Sequence, residues 1–213
     1  MVSRGSSLTR DRQLGADLAT GSLVAYIDAD HRLDEGALGR LVADLEAFEL
    51  DVVQSCISIS PVSFWCRAES DFLDLTHNIP GRKKMVGVAP AIFGKVVLET
   101  VRFEDRITKT IDDTDFMYRL DRDYSYVVGI GTTTVVQDHA GSLTSYVRKF
   151  RWYGRGDAEF CIKHPERQPS MLFHLGIRYP FVYSAKALVH GRWRVAPYAI
   201  LQGSGLTRVW LTG

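Results

Sequence analysis

Two aspartates, Asp28 and Asp30, close the run Leu23-Val-Ala-Tyr-Ile-Asp-Ala-Asp30. The apolar and β-branched residues before them read as a short buried strand, expected to be parallel, with Gly21 marking its start. Residues i and i+2 of an extended chain project to the same side, so the two carboxylates converge just past the strand's C-terminal end. Open α/β sheets hold their ligands there. Carboxylates this close repel one another unless a cation lies between them. Paired oxygens with room for water suit Mg²⁺ or Mn²⁺, and such an ion suits a diphosphate. The same octapeptide also fits a strand that Asp28 ends and a turn that Asp30 begins.

A second acidic group stands downstream, in Ile111-Asp-Asp-Thr-Asp-Phe-Met-Tyr-Arg-Leu120. Phe116, Met117 and Leu120 face a core, and the acids open the segment. A helix dipole stabilises exposed acids at its N-terminus by about 0.3–1 kcal/mol each, which explains acids at this place. A carboxylate held beside a metal-bound pair can also act as a general base. His139, in Asp138-His-Ala-Gly141, follows two β-rich runs. A lone histidine is more often a satisfied surface or core residue, and at a strand's end it also suits a metal site. Arg10 and Arg12 lie near the start of a short helix, where they can meet phosphate or water.

These groups need a frame. The segment Asp11 to Gly21 reads as a helix closed by Gly21 at its C-cap. Asp34 is the expected N-cap of a helix whose Leu38, Leu41, Val42, Leu45 and Phe48 repeat at helical spacing. Asp51 to Ser60 reads as a strand stopped by Pro61, and Phe64 to Asn78 as a helix. Arg82-Lys83-Lys84 reads as a solvated loop. Met85 to Gly94 reads as a strand broken at Pro90, with Gly87 and Gly94 letting the backbone approach a ligand or another strand. Val96 to Val101 makes one or two helical turns, and Arg102 to Thr110 a mobile loop. Tyr124 to Val128 and Thr132 to Gln137 read as a hairpin around Gly129-Ile-Gly131, or as a strand followed by an edge strand. Ser142 caps an amphipathic helix with Leu143, Tyr146, Val147, Phe150 and Tyr153 on one face and an end at Gly154 and Gly156. Its basic residues, Arg148, Lys149, Arg151 and Arg155, can grip a diphosphate, lie on anionic headgroups, or face water. Beyond Pro165 the chain mixes aromatic, apolar and basic residues, a composition suited to a membrane interface, a domain flank or a partner.

The totals limit the classes. A chain of 213 residues with 46% hydrophobic and 24% charged residues is an ordinary globular composition. The net charge of +1 gives no global pull toward nucleic acid or anionic lipid. Cys56, Cys66 and Cys161 are odd in number and widely spaced, which suits reduced thiols in a cytosolic setting and neither a disulfide framework nor a zinc site. Met1 to Ser7 has no apolar core of a signal peptide, and no run reaches the roughly 18 apolar residues of a transmembrane helix.

Taken in order, the elements are more specific than any one of them. Arg12-Gln-Leu-Gly15 with Ala19-Thr-Gly21 comes first, then Tyr26-Ile-Asp-Ala-Asp30. Gly87 to Gly94, with Phe103-Glu-Asp105, precedes Asp112-Asp-Thr-Asp-Phe116, and His139-Ala-Gly-Ser-Leu143 and Tyr153-Gly-Arg-Gly156 close the series. Over roughly residues 6 to 156 this resembles the second half of a family-2 glycosyltransferase of the GT-A fold. The resemblance implies an α/β class: an incomplete, Rossmann-like GT-A mixed sheet flanked by helices, over residues 1–160, and a helical, basic and aromatic extension over 161–213.

In such enzymes the Asp-x-Asp binds a divalent cation that holds a nucleotide-sugar diphosphate, a role that falls on Asp28 and Asp30. The family's Glu-Asp pair matches Asp112-Asp113, which makes Asp113 the candidate base and Asp112 the alternative acid. Some members use a late histidine as a further metal ligand, which is His139 here. Arg12, Gly87, Arg151 and Arg155 are the candidate substrate-binding residues. The family's Arg-Asn-x-Gly element reads Arg12-Gln-Leu-Gly15, with Gln13 in the asparagine's place.

The expected reaction is an inverting, Mg²⁺- or Mn²⁺-dependent transfer from a nucleotide-sugar donor to a sugar or lipid-linked acceptor. It would serve cell-surface or extracellular polysaccharide or glycolipid synthesis, in the cytoplasm or at the inner face of the membrane. Members normally begin with nucleobase-binding strands, and nothing before Leu23 supplies them. The chain is therefore expected to be a fragment, weakly active alone. Two other classes remain: a non-catalytic remnant that docks on a membrane or partner, and a phosphohydrolase or nucleotidyltransferase using the same carboxylates.

Overall fold

The structure is a computed structural model that describes residues 7–104 and 110–212, the side chains of 205–212 excepted. The start of the chain before Ser7 and most of the loop expected over Arg102 to Thr110 lie outside the described residues. Along the chain run α1 (Leu8–Leu18), β1 (Leu23–Tyr26), β2 (His31–Arg32), α2 (Ala37–Ala47), β3 (Val52–Ile59), α3 (Phe64–Thr76), β4 (Gly81–Lys83), β5 (Ala91–Gly94), α4 (Lys95–Thr100), α5 (Asp112–Asp123) and β6 (Val128–Gln137). Then come α6 (Leu143–Lys163), α7 (Gln168–Phe173), a wider helical stretch over His174–Tyr183, α8 (Ser184–Val189) and α9 (Val195–Thr212). The chain forms two compact units, one of residues 1–58 and 78–137 and one of 59–77 and 138–213.

The first unit is an open six-stranded sheet covered by helices. Its strands stand in the order β1-β5-β3-β6-β2, with β4 also paired to β6. The core on one face joins Ala16 of α1, Val97 and Leu98 of α4, and Phe116, Met117 and Leu120 of α5 to Phe93 and Ile130 of the strands. Each fully buried side chain of this size stabilises the fold by about 1.5–3 kcal/mol. On the other face Leu41 of α2 packs on Leu50, Val53 and Ile92. The helix expected from Leu41, Val42 and Leu45 is thus the lid on one side of the sheet.

Several local expectations are corrected. Strand β1 pairs antiparallel with β5, Leu23 opposite Gly94 and Tyr26 opposite Ala91, because its neighbour is β5 and not another forward-running strand. Helix α1 begins at a cap made by Ser7, whose hydroxyl accepts the Arg10 N–H, and ends at Ala19 in extended backbone, so Gly21 is no C-cap. Gly36, at φ 75°, replaces Asp34 as the N-cap of α2. Asp34 instead accepts two 2.7 Å hydrogen bonds from Arg40. Only Ala91–Gly94 of the expected Met85 to Gly94 strand is strand, and Arg82 and Lys83 pair with β6 and do not loop out.

The hairpin around Gly129 and Gly131 does not exist: β6 runs through both. These glycines serve closeness and make no turn. A Cβ on Gly129 would lie 2.7 Å from the Gly81 carbonyl, and one on Gly131 would lie 2.5 Å from the Asp44 carboxylate. That carboxylate in turn accepts the Thr132 N–H at 2.8 Å and its hydroxyl at 2.9 Å, which ties α2 to β6.

The second unit is helical. Phe72 of α3 meets Tyr179, Tyr183 and Tyr198, and Tyr198 also meets Tyr146 and Phe150 of α6. Ser142 caps α6 by accepting the Ser145 N–H, as expected. The helix passes through Gly154 and Gly156 and ends only at Lys163, because both glycines are buried where packing offsets their weak helix propensity. No described helix is long and apolar enough to cross a membrane.

Candidate functional site

The site lies at the end of β1, and α1 and α5 bring their starts to it. Tyr26, the last residue of β1, donates its hydroxyl to the Arg12 carbonyl at 2.8 Å. Its ring packs edge-on against Phe93 and Phe103, and Phe103 stacks on Phe116 at 4.6 Å between centroids. Burial pushes the Tyr26 phenol up to about 12, so it stays a donor at any physiological pH. Gln13 accepts the Phe103 N–H at 2.9 Å and donates to Asp17 at 2.8 Å. The glutamine thus fastens α1 to the segment that leads toward α5.

Held this way, Arg12 reaches both acidic groups. Its Nη1 donates to Asp112 Oδ2 at the start of α5, and its Nη2 stands 3.6 Å from Asp28 Oδ1. Exposure separates the two contacts. The Arg12 and Asp112 side chains are 12% and 6% exposed, so theirs is an inside pair; Asp28 is 47% exposed and opens outward. Asp28 and Asp112, far apart in sequence, therefore share one cleft.

Asp113 sits beside that pair. Its Oδ1 accepts the Thr114 N–H at 2.7 Å. Burial raises its pKa above the usual carboxylate value, and the neighbouring Asp112 charge raises it further, while Arg12 and the Thr114 bonds oppose the shift. Asp112 is occupied by a guanidinium, whereas Asp113 has a raised basicity. The difference favours Asp113 as a proton acceptor.

At the outer end, Asp28, Asp30 and His31 can each turn one donor atom into a group with all separations within 4.8 Å. Two exposed carboxylates of this spacing fit a hard divalent cation that keeps some of its waters. Gln137 donates to Asp30 Oδ2 at 2.9 Å, and the short pairing of β2 with β6 sets His31 opposite Gln137. The Asp28 N–H donates to His31 Nδ1 at 3.2 Å, and the His31 N–H returns to the Asp28 carbonyl at 3.1 Å.

The other candidates have their own surroundings. Gly87 donates its N–H to Gln54 Oε1 at 2.6 Å, so the close approach its missing side chain allows is to β3. His139 is in the second unit, with Nε2 3.2 Å from Lys149 Nζ and 3.8 Å from Glu69 Oε2. Arg151 and Arg155 are exposed on α6. The sequence gives no role to His31 or Gln137, and Tyr26 enters it only as the start of the Asp-x-Asp motif. His31 had a signal, since it directly follows Asp30; a pairing as short as β2 leaves none for Gln137.

Residues 3–95 match the family model described as glycosyl transferase family 2. No curated protein matches the chain. Among solved structures, S. aureus TarS 1-349 in complex with UDP-GlcNAc aligns with a TM-score of 0.50 at 11% identity, covering 98% of this chain and 72% of that one. TarS 1-349 without that ligand gives 0.46 at 13% identity, covering 100% and 74%. With UDP it gives 0.44 at 13% identity, covering 92% and 72%. Residues 3–95 of this chain are thus similar to glycosyl transferase family 2, and the fold is of the GT-A kind.

Proposed function

We propose that the chain transfers a sugar from a nucleotide-sugar diphosphate to an acceptor hydroxyl with inversion, and that Asp28 and Asp30 hold Mg²⁺ or Mn²⁺ for that reaction. One observation carries the reading: Arg12 touches both Asp28 and Asp112, so the outward acids and the start of α5 serve one cleft. The UDP-GlcNAc bound in the TarS crystal supports a nucleotide-sugar as the donor class.

In this mechanism Asp113 takes the proton of the acceptor hydroxyl as that oxygen bonds to the anomeric carbon. The bond from that carbon to the diphosphate oxygen breaks on the opposite side, and its electron pair leaves with the nucleoside diphosphate. A cation at Asp28 and Asp30 would supply charge neutralisation to that leaving group. Arg12 adds positive charge beside it and keeps Asp112 from competing for the proton. Gly87 as a substrate contact belongs to this proposal on the strength of the family resemblance.

Transfer from a panel of nucleotide-sugars, assayed with Mn²⁺ and again with EDTA, tests the reading. Turnover that EDTA abolishes and Asp113→Asn removes without altering the circular dichroism supports it. Activity on plain nucleotides alone points to a phosphohydrolase or nucleotidyltransferase.

The second unit supports a contact beside catalysis. Phe173, Ile177, Phe181 and Val189 are 50%, 48%, 66% and 83% exposed. They lie in a stretch with no acid between Glu166 and the end of the sequence. We propose that this face touches anionic lipid at the inner, cytoplasmic side of a membrane, where a lipid-linked acceptor for polysaccharide or glycolipid synthesis would lie. The same face favours the second reading, a remnant that only docks; an Asp113→Asn variant with full biological effect would select it.

A further inference from the structure

His31 lies against the two aspartates, and its nitrogens face different groups. Its side chain is 1% exposed, with Nε2 4.0 Å from Asp30 Oδ1. Nδ1 is 3.2 Å from the Asp28 backbone nitrogen. A backbone amide only donates, so Nδ1 must offer its lone pair to it. The neutral ring then carries its proton on Nε2, the nitrogen directed at Asp30. A protonated nitrogen has no lone pair for a cation, and the lone pair on Nδ1 is already used.

The histidine's backbone completes the arrangement. The His31 N–H donates to the Asp28 carbonyl at 3.1 Å, so two reciprocal bonds close the turn from Asp28 to His31. On the far side, His31 pairs with Gln137 across β2 and β6, and Gln137 holds Asp30 Oδ2 at 2.9 Å. The turn that presents both carboxylates is thus bonded at each end.

We propose that His31 is a positioning residue, which fixes the spacing of Asp28 and Asp30 through Nδ1 and is not itself a ligand of their cation. This rests on the reading of the two aspartates as the cation site. Residues that orient metal ligands in this way change affinity about 10–100-fold when lost.

The geometry makes the two roles separable by isosteres. The side-chain oxygen in His31→Asn occupies the place of Nδ1, while the amide in His31→Gln occupies the place of Nε2. Three measurements on the full chain decide. The ¹⁵N spectrum of His31 should show the proton on Nε2, before and after addition of Mg²⁺. The Asp28 amide should exchange at the wild-type rate in His31→Asn and at least tenfold faster in His31→Gln. Mn²⁺ affinity, read by water-proton relaxation, should stay within about twofold in His31→Asn and fall about tenfold or more in His31→Gln.

A proton on Nδ1, or Mn²⁺ affinity kept by His31→Gln and lost by His31→Asn, overturns the proposal in favour of ligation through Nε2. Equal affinity in both variants also overturns it. Asp28→Asn is the control for the cation site itself: if it leaves Mn²⁺ affinity unchanged, the metal reading fails. The spectrum and the amide exchange then still decide whether His31 holds the turn.

Discussion

The guanidinium of Arg12 stands between Asp28 and Asp112, donating to the second and lying 3.6 Å from the first. It is the one described cation paired with both acidic groups, and it makes their charges compatible at close range. In Arg12→Met, Asp112 is left mostly buried without its partner, and repulsion between the acids grows. Transfer should fall by roughly 100-fold, the usual loss when one charge-stabilising donor is removed. Arg12→Lys should recover little of it, because an ammonium cannot present a planar fork to two carboxylates. Steady-state kinetics of both variants check this; full activity in Arg12→Met would remove Arg12 from the site.

Asp113 makes a prediction about pH. Its carboxyl titrates above the ordinary 3.8, through burial first and the Asp112 charge second. As a base it works only when deprotonated. Activity should therefore rise with pH through that raised value, and the acidic limb of the kcat profile should lie above the normal carboxylate range. Stability runs the other way. A carboxyl with a raised folded pKa stabilises the fold while protonated, and that contribution is lost as pH rises from its unfolded value through its folded one. Asp113→Asn should lower kcat about 10²–10⁴-fold and leave Tm at neutral pH equal to or above the wild type. A drop in Tm alongside the loss of activity would assign Asp113 to the fold.

Glu69 carries a second pH signature, in the other unit. Burial alone would raise its pKa, but the charges of Lys149 and His139 and hydrogen bonds from Lys149 and Tyr146 hold it below 4.5. Lys149 Nζ lies 2.7 Å from Oε1, and the Tyr146 hydroxyl donates to Oε2 at 2.6 Å. A lowered carboxyl contributes stability above its unfolded pKa and loses it as pH falls through the folded value. Lys149→Met should cost about 3 kcal/mol at neutral pH, because a buried charge is left without its cation. The deficit should shrink as acid protonates Glu69. Urea titrations of both proteins across that range test it, and a pH-independent deficit would contradict it.

Gly131→Ala tests the contact between α2 and β6. The new methyl would meet the Asp44 carboxylate at 2.5 Å, and Asp44 cannot withdraw without giving up Thr132. Overpacking of this kind costs about 1–3 kcal/mol. Gly15→Ala is the contrast, since nothing lies within 4 Å of its Cβ and it sits in a helix. It should be neutral or slightly stabilising in thermal unfolding.

The acidic groups are easier to read in the sequence than the elements that carry them. Asp28, Asp30 and Asp112 are legible as candidates because carboxylates stand out at the ends of apolar runs, and the order of the motifs is what links them. The long core stripes of α2 and α3 are legible from period alone. Gly129 and Gly131 misled because a glycine needed for closeness looks the same as one needed for a turn. What separates the two is Asp44 and Gly81, distant in sequence and invisible to local patterns. Asp34 misled for a similar reason: aspartate is a good cap, but here a nearby arginine holds it. Strand β2 left no pattern at all, since two residues cannot show a period.

The hydroxyl of Tyr26 on the Arg12 carbonyl joins two things that could have been separate. Tyr26 lies on the same strand that delivers Asp28, so the arginine's reach and the aspartates' position share one mounting. Slippage of β1 by one residue would turn the phenol to the opposite face of the sheet. The helix would lose its tether in the same step that displaced the carboxylates. Chains descended from this one can retune the charge spacing of the cleft only by exchanging strand and helix residues together.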